Sequence, residues 1–320
     1  MVKLRVITNS EMRCRRRCPR EHYLSYVLGY RPVVDSEAMR FGTRWHLGME
    51  AWWLGHGVEA AIAAAADGVE DPYEAAKLTV LLRGYDARWS GESFDVVGVE
   101  QEFRAPLVNP ETGAASRTFE LGGKVDVLIR DGIVEHKSSS QDVGVGSVYW
   151  QKLAMDSQIS AYFAGARALG VEPSRCVYDV VKKPQIRPYK ATPTESRKYT
   201  KDGRLYANQR DEDESPDDFA LRLAEDIVAS PDKYYQRGEV VRLEHEEQQY
   251  AVDVWQLARS MRDDVRLNAH VRNTDACERY GSMCGFFPVC SGAGSLDDQS
   301  RYVRVENVHQ ELSPDVEAAE

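Results

Sequence analysis

Two carboxylates and one lysine between residues 122 and 140 have the types and the spacing of a divalent-metal site. Asp126 stands nine residues before Glu135, and Lys137 follows two residues later. Neighbouring carboxylate oxygens suit Mg²⁺ or Mn²⁺, and a lysine beside such an ion can orient or deprotonate a metal-bound water. A surface strand with an ordinary salt bridge explains the same three residues, because so short a motif recurs by chance. The rest of the chain has to decide between these two interpretations.

The segment 122–140 predicts a β-hairpin that would bring the three side chains together. Apolar residues alternate with mixed ones over 124–129, which is typical of a strand. Asp131 and Gly132 predict a two-residue type I′ turn, because both positions of that turn take positive φ. Residues 133–137 would then return as the second strand.

This turn also predicts the register of the hairpin. Counting outward from it, Arg130 pairs with Ile133, and Asp126 pairs with Lys137. Glu135 lies on the same face as Lys137 and diagonal to Asp126, because side chains alternate with a period of two. The hairpin therefore predicts two carboxylates and an ammonium on one patch.

The composition indicates ample apolar core and no membrane segment. The chain has 320 residues, 42% of them hydrophobic, and a net charge of −10. It holds no run of eighteen apolar residues, and its N-terminus lacks the apolar stretch of a signal peptide. We therefore expect a soluble, cytoplasmic protein of one large domain or two, with no membrane partner. The acidic total argues against indiscriminate binding to polyanions.

Part of the acidic charge is concentrated at the end of the chain. Residues 291–320 hold seven acidic and two basic side chains. This composition predicts an acidic, poorly ordered tail over 293–320. Basic clusters elsewhere in the chain must therefore be judged separately from the total.

Two other segments predict helices that carry polar residues on otherwise apolar faces. Residues 44–55 place His46 on a stripe of large apolar side chains, where a histidine is usually only packed. Residues 155–169 form the second predicted helix, with Gln158 and Tyr162 four residues apart on it. Both helices flank the hairpin in the sequence.

The start of the chain predicts a basic helix over residues 8–26. A capping box begins this helix, and Pro19 predicts a break within it. Five of the eight residues from 13 to 20 are arginines, among them Arg16 and Arg17. Such a run usually forms a solvated face, but beside a nucleic-acid site it would contact phosphates.

Residues 182–215 form a second basic segment, one without clear periodicity. Its basic residues are interleaved with tyrosines, which suits a single strand held by phosphate neutralisation and base stacking. A solvated loop has a similar composition, so both interpretations stay open. The residues of this segment that we expect to contact DNA are Lys182, Lys183, Arg187, Lys198 and Tyr199.

The six cysteines favour metal or cluster ligation. Disulfides are not expected in a chain without signs of secretion. Cys277, Cys284 and Cys290 form a close triplet in a glycine-rich segment. A fourth donor can come from Cys18 or Cys14 at the other end of the chain. Irregular spacing with a remote fourth ligand suits a [4Fe-4S] cluster better than zinc, whose sites usually contain close pairs. Small buried hydrophobic side chains are the remaining interpretation.

Six motifs in chain order resemble the RecB-like branch of the PD-(D/E)XK nuclease superfamily. The likeness is closest to its iron–sulfur exonucleases, which include AddB-type nuclease domains, CRISPR adaptation nucleases and stand-alone phage enzymes. The motifs are Cys18-Pro19, Gly42-x-x-x-His46, Gly123-x-x-Asp126, Glu135-x-Lys137, Gln158-x-x-x-Tyr162 and the triplet Cys277, Cys284, Cys290. Valine replaces the family's proline before Asp126, and the pattern does not require Cys14.

The resemblance implies a role for each matching residue. It implies that Mg²⁺ or Mn²⁺ is held by His46, Asp126, Glu135 and the backbone carbonyl of His136. It implies that Lys137 positions the attacking water, while Gln158 and Tyr162 support the lysine or touch the DNA backbone. It implies a [4Fe-4S] cluster held by Cys18, Cys277, Cys284 and Cys290.

The implied fold is α/β, with a restriction-endonuclease-like core of a central mixed sheet flanked by helices. Helical N- and C-terminal parts would be joined by the iron–sulfur cluster. We expect an N-terminal helical region over 1–95, a nuclease core with the basic loop over 96–215, C-terminal helices with the cysteine triplet over 216–292, and the acidic tail over 293–320.

The implied activity is metal-dependent hydrolysis of DNA by an exonuclease, in recombination, repair or phage DNA metabolism. Its partner would be single-stranded DNA or duplex ends, and a helicase or recombination partner and a homo-oligomer are left open. The alternatives are a DNA endonuclease, a non-catalytic iron–sulfur DNA-binding or interaction module, and a four-cysteine zinc protein. A decayed nuclease would be expected to lose Asp126, Glu135 or Lys137, so their joint presence favours the enzyme.

Overall fold

A six-stranded mixed sheet forms the centre of the computed structural model, which describes residues 4–33, 37–279 and 281–313. The strands of the described residues are β1 (Arg5–Thr8), β2 (Tyr30–Pro32), β3 (Val96–Val108), β4 (Ala115–Ile129), β5 (Gly132–Ser139), β6 (Arg175–Lys182), β7 (Tyr235–Val240), β8 (Glu278–Arg279), β9 (Ser282–Met283) and β10 (Tyr302–Arg304). The central sheet consists of β1 and β3 to β7, and the other four described strands form two separate pairs. The α-helices are α1 (Asn9–Arg17), α2 (Pro19–His22), α3 (Glu37–Trp53), α4 (Val58–Ala66), α5 (Pro72–Trp89), α6 (Val148–Leu153), α7 (Ser157–Ala168), α8 (Pro216–Ala229), α9 (Pro231–Tyr234), α10 (Glu244–Leu267) and α11 (Phe287–Ser291).

The sheet is forked at β4. One edge of β4 pairs with β3 along most of its length, and the other edge pairs with two different strands. Parallel β1 pairs with β4 as far as Gly122, whereas antiparallel β5 pairs with it only from Val127. Residues 123–126 therefore lie in a gap between β1 and β5. The sheet continues through β6, parallel to β5, to β7, antiparallel to β6.

Helices cover both faces of this sheet. Val127 and Val134 face a core that includes residues of α3, α5 and α8. Leu128 and Ile133 face a second core, shared with α7 and α10. The predicted α/β fold with a mixed sheet between helices is confirmed, and both faces of the hairpin are buried because both carry helices. None of the described helices combines the length and the apolar character needed to cross a bilayer.

The register of the central hairpin differs from the sequence prediction. Ile129 pairs with Gly132, so the turn consists of Arg130 and Asp131, and neither has a positive φ. The predicted type I′ turn at Asp131-Gly132 is therefore wrong. Gly132 is needed for space instead, because a Cβ there would lie 2.0 Å from the carbonyl oxygen of Arg175 on β6. Continuing the observed register places Asp126 opposite Glu135 rather than Lys137.

Residues 293–313 differ from the predicted poorly ordered tail, whose last part, 314–320, lies outside the described residues. β10 pairs antiparallel with β2. The ring of Tyr302 on β10 stacks on Phe286 at 5.6 Å, and Leu312 is buried. The acidic composition predicted disorder wrongly for these residues, because a few apolar side chains are enough to pack the segment against the rest of the protein. The region 1–95, predicted as helical, also contributes β1 to the sheet.

Candidate active site

The gap beside β4 opens into a cleft of about 590 Å³ that contains most of the predicted active-site residues. β4 supplies Asp126, β5 supplies Glu135 and Lys137, α3 supplies His46, and α7 supplies Gln158 and Tyr162. The sheet positions the two carboxylates, while a helix on each face brings the remaining groups to them. The structure therefore brings together residues that are up to 116 positions apart in the chain, from His46 to Tyr162.

The side chain of Asp126 is held at the point where β4 and β5 separate. Its Oδ2 accepts a hydrogen bond of 2.7 Å from the backbone N–H of His136. That bond satisfies an N–H that the separating strands leave without a ladder partner. The other oxygen, Oδ1, lies 3.6 Å from Nδ1 of His46. Asp126 thus faces the imidazole of α3 across the cleft.

Glu100 on β3 completes a group of three potential metal ligands. Ligand atoms of His46, Glu100 and Asp126 all lie within 4.8 Å of one another. The pairs of β3 with β4 on either side of Glu100 place it opposite Asp126. Glu100 also has a φ of 51°, in the left-handed region that non-glycine residues rarely adopt. Its carboxylate forms an ion pair with Lys124.

Glu100 is not among the metal ligands predicted from the sequence, whereas Glu135 is. Within the part of the chain that the structure describes, the group of three within 4.8 Å does not include Glu135. Glu100 stands in a segment recognised only as strand-like. The register between β3 and β4 is the signal that could have found it. Sequence spacing does not provide that register, because the shape of the six-residue connection 109–114 cannot be read from the sequence.

Glu135, Lys137 and Gln158 form a buried polar network next to Asp126. Lys137 Nζ contacts Glu135 Oε1 as an ion pair. Gln158 Nε2 donates to the same oxygen at 2.9 Å and lies 2.8 Å from the hydroxyl of Tyr162. The second oxygen of Glu135, Oε2, is buried and has no hydrogen-bond partner among the described residues. A bound cation or water would satisfy this oxygen.

The charge states of His46 and Asp126 favour binding of a cation. Burial lowers the pKa of the half-buried His46, so its imidazole is neutral at neutral pH and can act as a ligand. Burial alone would raise the pKa of Asp126. In the acidic range where Asp126 titrates, His46 is protonated, and its charge together with that of Lys137 outweighs burial and holds the pKa of Asp126 below its ordinary value. Asp126 is therefore an ionised carboxylate.

The pKa values of Glu135 and Lys137 are both raised, so both groups hold their protons to a higher pH than usual. Burial, followed by repulsion from Asp126, raises the pKa of Glu135 to about 8. Burial alone would lower the pKa of Lys137, but attraction to Glu135 and Asp126 raises it above the ordinary lysine value. Lys137 is thus an ammonium that can orient a water or a phosphate oxygen. It is a poor acceptor of a proton in this state.

His136 is anchored on the opposite side of β5. Its ring is 2% exposed, and Nδ1 lies 3.4 Å from Oδ2 of Asp179 on β6. Asp179 also accepts from Arg237 at 3.0 Å and from the hydroxyl of Tyr85. The predicted metal contact of His136 was its carbonyl, whereas the contact to the cleft that the structure describes is its N–H on Asp126. The buried network fixes the strand that carries Glu135 and Lys137.

Residues 310–311 form one wall of the cleft. Gln310 and Glu311 line it together with Thr8 and Asn9 at the start of α1. The wall is held by His309, whose Nε2 lies 3.4 Å from Glu11, and by Ser313, whose N–H and hydroxyl donate to Glu102 at 2.7 Å. The segment predicted as a disordered tail therefore shapes the candidate site.

Four of the predicted cluster cysteines line one small cavity. The cavity is bounded by Cys18, Cys277, Cys284 and Cys290. Burial raises the pKa of Cys290, and Cys18 and Cys277 are near enough to raise it further. Apart from the His46 group, no three metal-ligand atoms of described residues lie within 4.8 Å of one another, so no three of these sulfurs do.

Cys14 does not reach this cavity. α1 ends at Arg17, and Cys18 is extended, with φ −155° and ψ 113°. Cys14 and Cys18 therefore do not share the helical face that their four-residue spacing allows. Cys14 is 5% exposed, and burial raises the pKa of its thiol to about 12. Cys176 is buried in the core, as the apolar strand around it predicts.

The predicted DNA-contacting residues fall into separate places. Arg17 is ion-paired with Glu21, and Arg16 donates to the Ser157 hydroxyl at 3.3 Å. The segment 183–215 has no strand or α-helix, in agreement with its lack of periodicity, and only a 3₁₀ turn over Thr194–Ser196. Lys182 ends β6, Lys183 and Arg187 line a second cavity, and Lys198 and Tyr199 lie farther out on the loop.

Comparisons with known proteins identify one family. A family model described as the PD-(D/E)XK nuclease superfamily matches residues 7–291. One similar solved structure, "Crystal structure of SSO0001", is 16% identical and has a TM-score of 0.21; the alignment covers 66% of this chain and 82% of that chain. No curated protein matches. The family match covers most of the chain and includes every predicted active-site and cluster residue.

Proposed function

Because this chain belongs to the PD-(D/E)XK nuclease superfamily, we propose that it is a Mg²⁺- or Mn²⁺-dependent DNA exonuclease. The observation that carries the proposal is the gathering of His46, Glu100 and Asp126 within 4.8 Å, beside the ammonium of Lys137, which is ion-paired with the buried Glu135. Membership of this superfamily suggests that the protein is a metal-dependent nuclease. The exonuclease mode rests on the resemblance of the motifs to iron–sulfur exonucleases.

The residues of the cleft fit a divalent cation. Two carboxylates offer hard oxygen donors, a neutral imidazole adds a nitrogen donor, and the buried Oε2 of Glu135 has no hydrogen-bond partner among the described residues. His46, Glu100 and Asp126 would hold the ion, and Glu135 and the His136 carbonyl would complete its surroundings. When bound, the ion would neutralise charge on the scissile phosphate and lower the pKa of a bound water.

The chain's own groups then position the reactants. Lys137, held by Glu135, orients the attacking water or a phosphate oxygen with its ammonium protons. Gln158 fixes Glu135, and Tyr162 fixes Gln158. Preorganisation of this kind lowers the barrier because no group has to reorient during the reaction.

We also propose that Cys18, Cys277, Cys284 and Cys290 hold a [4Fe-4S] cluster. Their common cavity supports this. Zinc bonds of about 2.3 Å in a tetrahedron would bring the sulfurs to about 3.8 Å from one another, and no three described cysteine sulfurs lie within 4.8 Å. The irregular spacing of the triplet along the chain, with a remote fourth cysteine, favours a [4Fe-4S] cluster over zinc. A brown, iron-containing protein after anaerobic purification would support the cluster, and a colourless zinc protein would contradict it.

One experiment tests the nuclease proposal. End-labelled single-stranded, duplex and covalently closed circular DNA are incubated with Mg²⁺ or Mn²⁺, with Lys137→Ala as the control. We expect hydrolysis of ends by the wild type only. Cleavage of circular DNA would identify an endonuclease. Equal activity of the two proteins would contradict the assigned site, and absence of hydrolysis with intact metal binding would favour the non-catalytic alternative.

A further inference from the structure

A second cavity lies next to the candidate active site and carries the opposite charge. This cationic pocket, of about 430 Å³, is lined by Lys77, Ser140, Lys183, Gln185 and Arg187 together with apolar side chains. None of its described lining residues is acidic. The active-site cleft, in contrast, is lined by five carboxylates and two lysines. A pocket with three cations and no acid is notable in a chain whose net charge is −10.

The pocket and the cleft share structural elements. Ser140 follows β5 three residues after Lys137, so the two lie about 10 Å apart at about 3.3 Å per strand residue. On α3, Phe41 lines the pocket and His46 lines the cleft. Five helical residues correspond to about 7.5 Å along the axis. A polymer such as a DNA strand that leaves the cleft at this end therefore reaches the pocket within a few nucleotides.

The cations of the pocket are supported by fixed elements. Lys183 follows β6 directly, and its N–H donates to the carbonyl of Ser139 at 2.7 Å. Its ammonium lies 5.0 Å from the centroid of the Phe41 ring, a distance at which the ring attracts it. Lys77 projects from α5, whose next residue, Leu78, is fully buried. The ring contact restricts the ammonium of Lys183, so this side chain loses less entropy when it binds an anion.

We propose that the cationic pocket binds a backbone phosphate of the DNA strand, at a position adjacent to the scissile phosphate. This inference rests on the proposed nuclease function. The acidic cleft by itself repels a polyanion, so attraction has to come from nearby cations. Ser140 and Gln185 add neutral hydrogen-bonding groups, which suit phosphate oxygens. The site would position the strand without reading its sequence.

The test measures binding of oligothymidylate in EDTA, where hydrolysis does not interfere. We expect Lys77→Gln and Arg187→Gln to weaken binding of an oligomer of about 16 nucleotides, and each to reduce the slope of log K against log salt by about 0.7. Lys152→Gln, at an exposed position of α6 that lines neither cavity, is the matched control and should keep the wild-type slope. Lys77→Arg should restore binding, which excludes a folding defect.

The outcomes separate the pocket from the proposed function. If Lys77→Gln and Arg187→Gln both keep the wild-type slope of log K against log salt, the pocket does not bind a DNA phosphate, even if the protein hydrolyses DNA. Reduced slopes without any hydrolysis by the wild type would refute the nuclease function and leave a DNA-binding pocket. Inorganic phosphate is tested as competitor. If it displaces the oligomer at equal molar concentration, the pocket is a free-anion site and the DNA assignment is wrong.

Discussion

Replacing Glu100 by glutamine should stabilise the metal-free protein. Carboxylate oxygens of Glu100 and Asp126 lie within 4.8 Å. At an effective dielectric constant of about 20, two unit charges at that distance repel by about 3.5 kcal/mol. Loss of the half-buried Lys124 ion pair offsets about 1 kcal/mol of that gain. We therefore expect the free energy of unfolding in EDTA to rise by about 2 kcal/mol.

The pH dependence of this gain follows from the pKa of Glu100. Burial is the largest influence on that pKa and raises it above the ordinary value. A carboxyl with a raised pKa in the folded state contributes stability below that pKa and loses it as the pH rises. Glutamine at position 100 does not ionise, so the variant does not lose this stability as the pH rises. The advantage of the variant should therefore be present at neutral pH and disappear as acid protonates Glu100.

The same variant should lose its response to metal. A divalent ion at about 100 times its dissociation constant stabilises a folded protein by about 2.7 kcal/mol. A neutral amide is a poorer ligand than a carboxylate, so this increment should shrink in Glu100→Gln. DNA hydrolysis should fall at least about 100-fold, because loss of a partner outside the first ligand shell already costs about 10–100-fold.

Urea unfolding in EDTA and in excess Mg²⁺ measures both effects. Glu120→Gln is the matched control, since Glu120 lies on β4, 3.8 Å from Arg104, and does not line the cleft. The control should keep the wild-type response to metal. A Glu100→Gln protein that is less stable than wild type in EDTA would refute the repulsion. An unchanged stabilisation by Mg²⁺ would refute Glu100 as a ligand.

Three other predictions concern separate parts of the molecule. The affinity for Mg²⁺ should rise between pH 6 and about 8 because binding has to displace the proton that the raised pKa keeps on Glu135; titration calorimetry over that range checks this, and a flat profile would contradict it. Asp179→Ala should destabilise the protein by about 3–5 kcal/mol, measured by urea unfolding, because it removes the buried carboxylate that pairs with Arg237 and accepts from Tyr85, and leaves Arg237 only the more exposed Glu92; a loss under 1 kcal/mol would count against the anchoring network. Cys18→Ser should lose the bound iron and its visible absorbance, whereas Cys14→Ser should retain both; the reverse pattern would exchange the two ligands.

The sequence alone determined which residues belong to the hairpin and which of its faces they share. The observed register, continued by one residue, places Asp126 opposite Glu135, two residues from the predicted partner. A shift by two keeps every side chain on its face because strands alternate with a period of two. The error in the turn therefore left Asp126, Glu135 and Lys137 together. The spacing of Gln158 and Tyr162 was equally robust, since it lies within one helix.

Tertiary structure decided the rest of the site. Glu100 joins His46 and Asp126 only through the pairing of β3 with β4, which local pattern does not encode. Cys18, and not Cys14, faces the other cysteines because the helix ends between them. Gln310 and Glu311 reach the cleft because a few distant contacts outweigh an acidic composition. Local periods fix the face on which a side chain lies, whereas contacts between distant segments fix what that face meets.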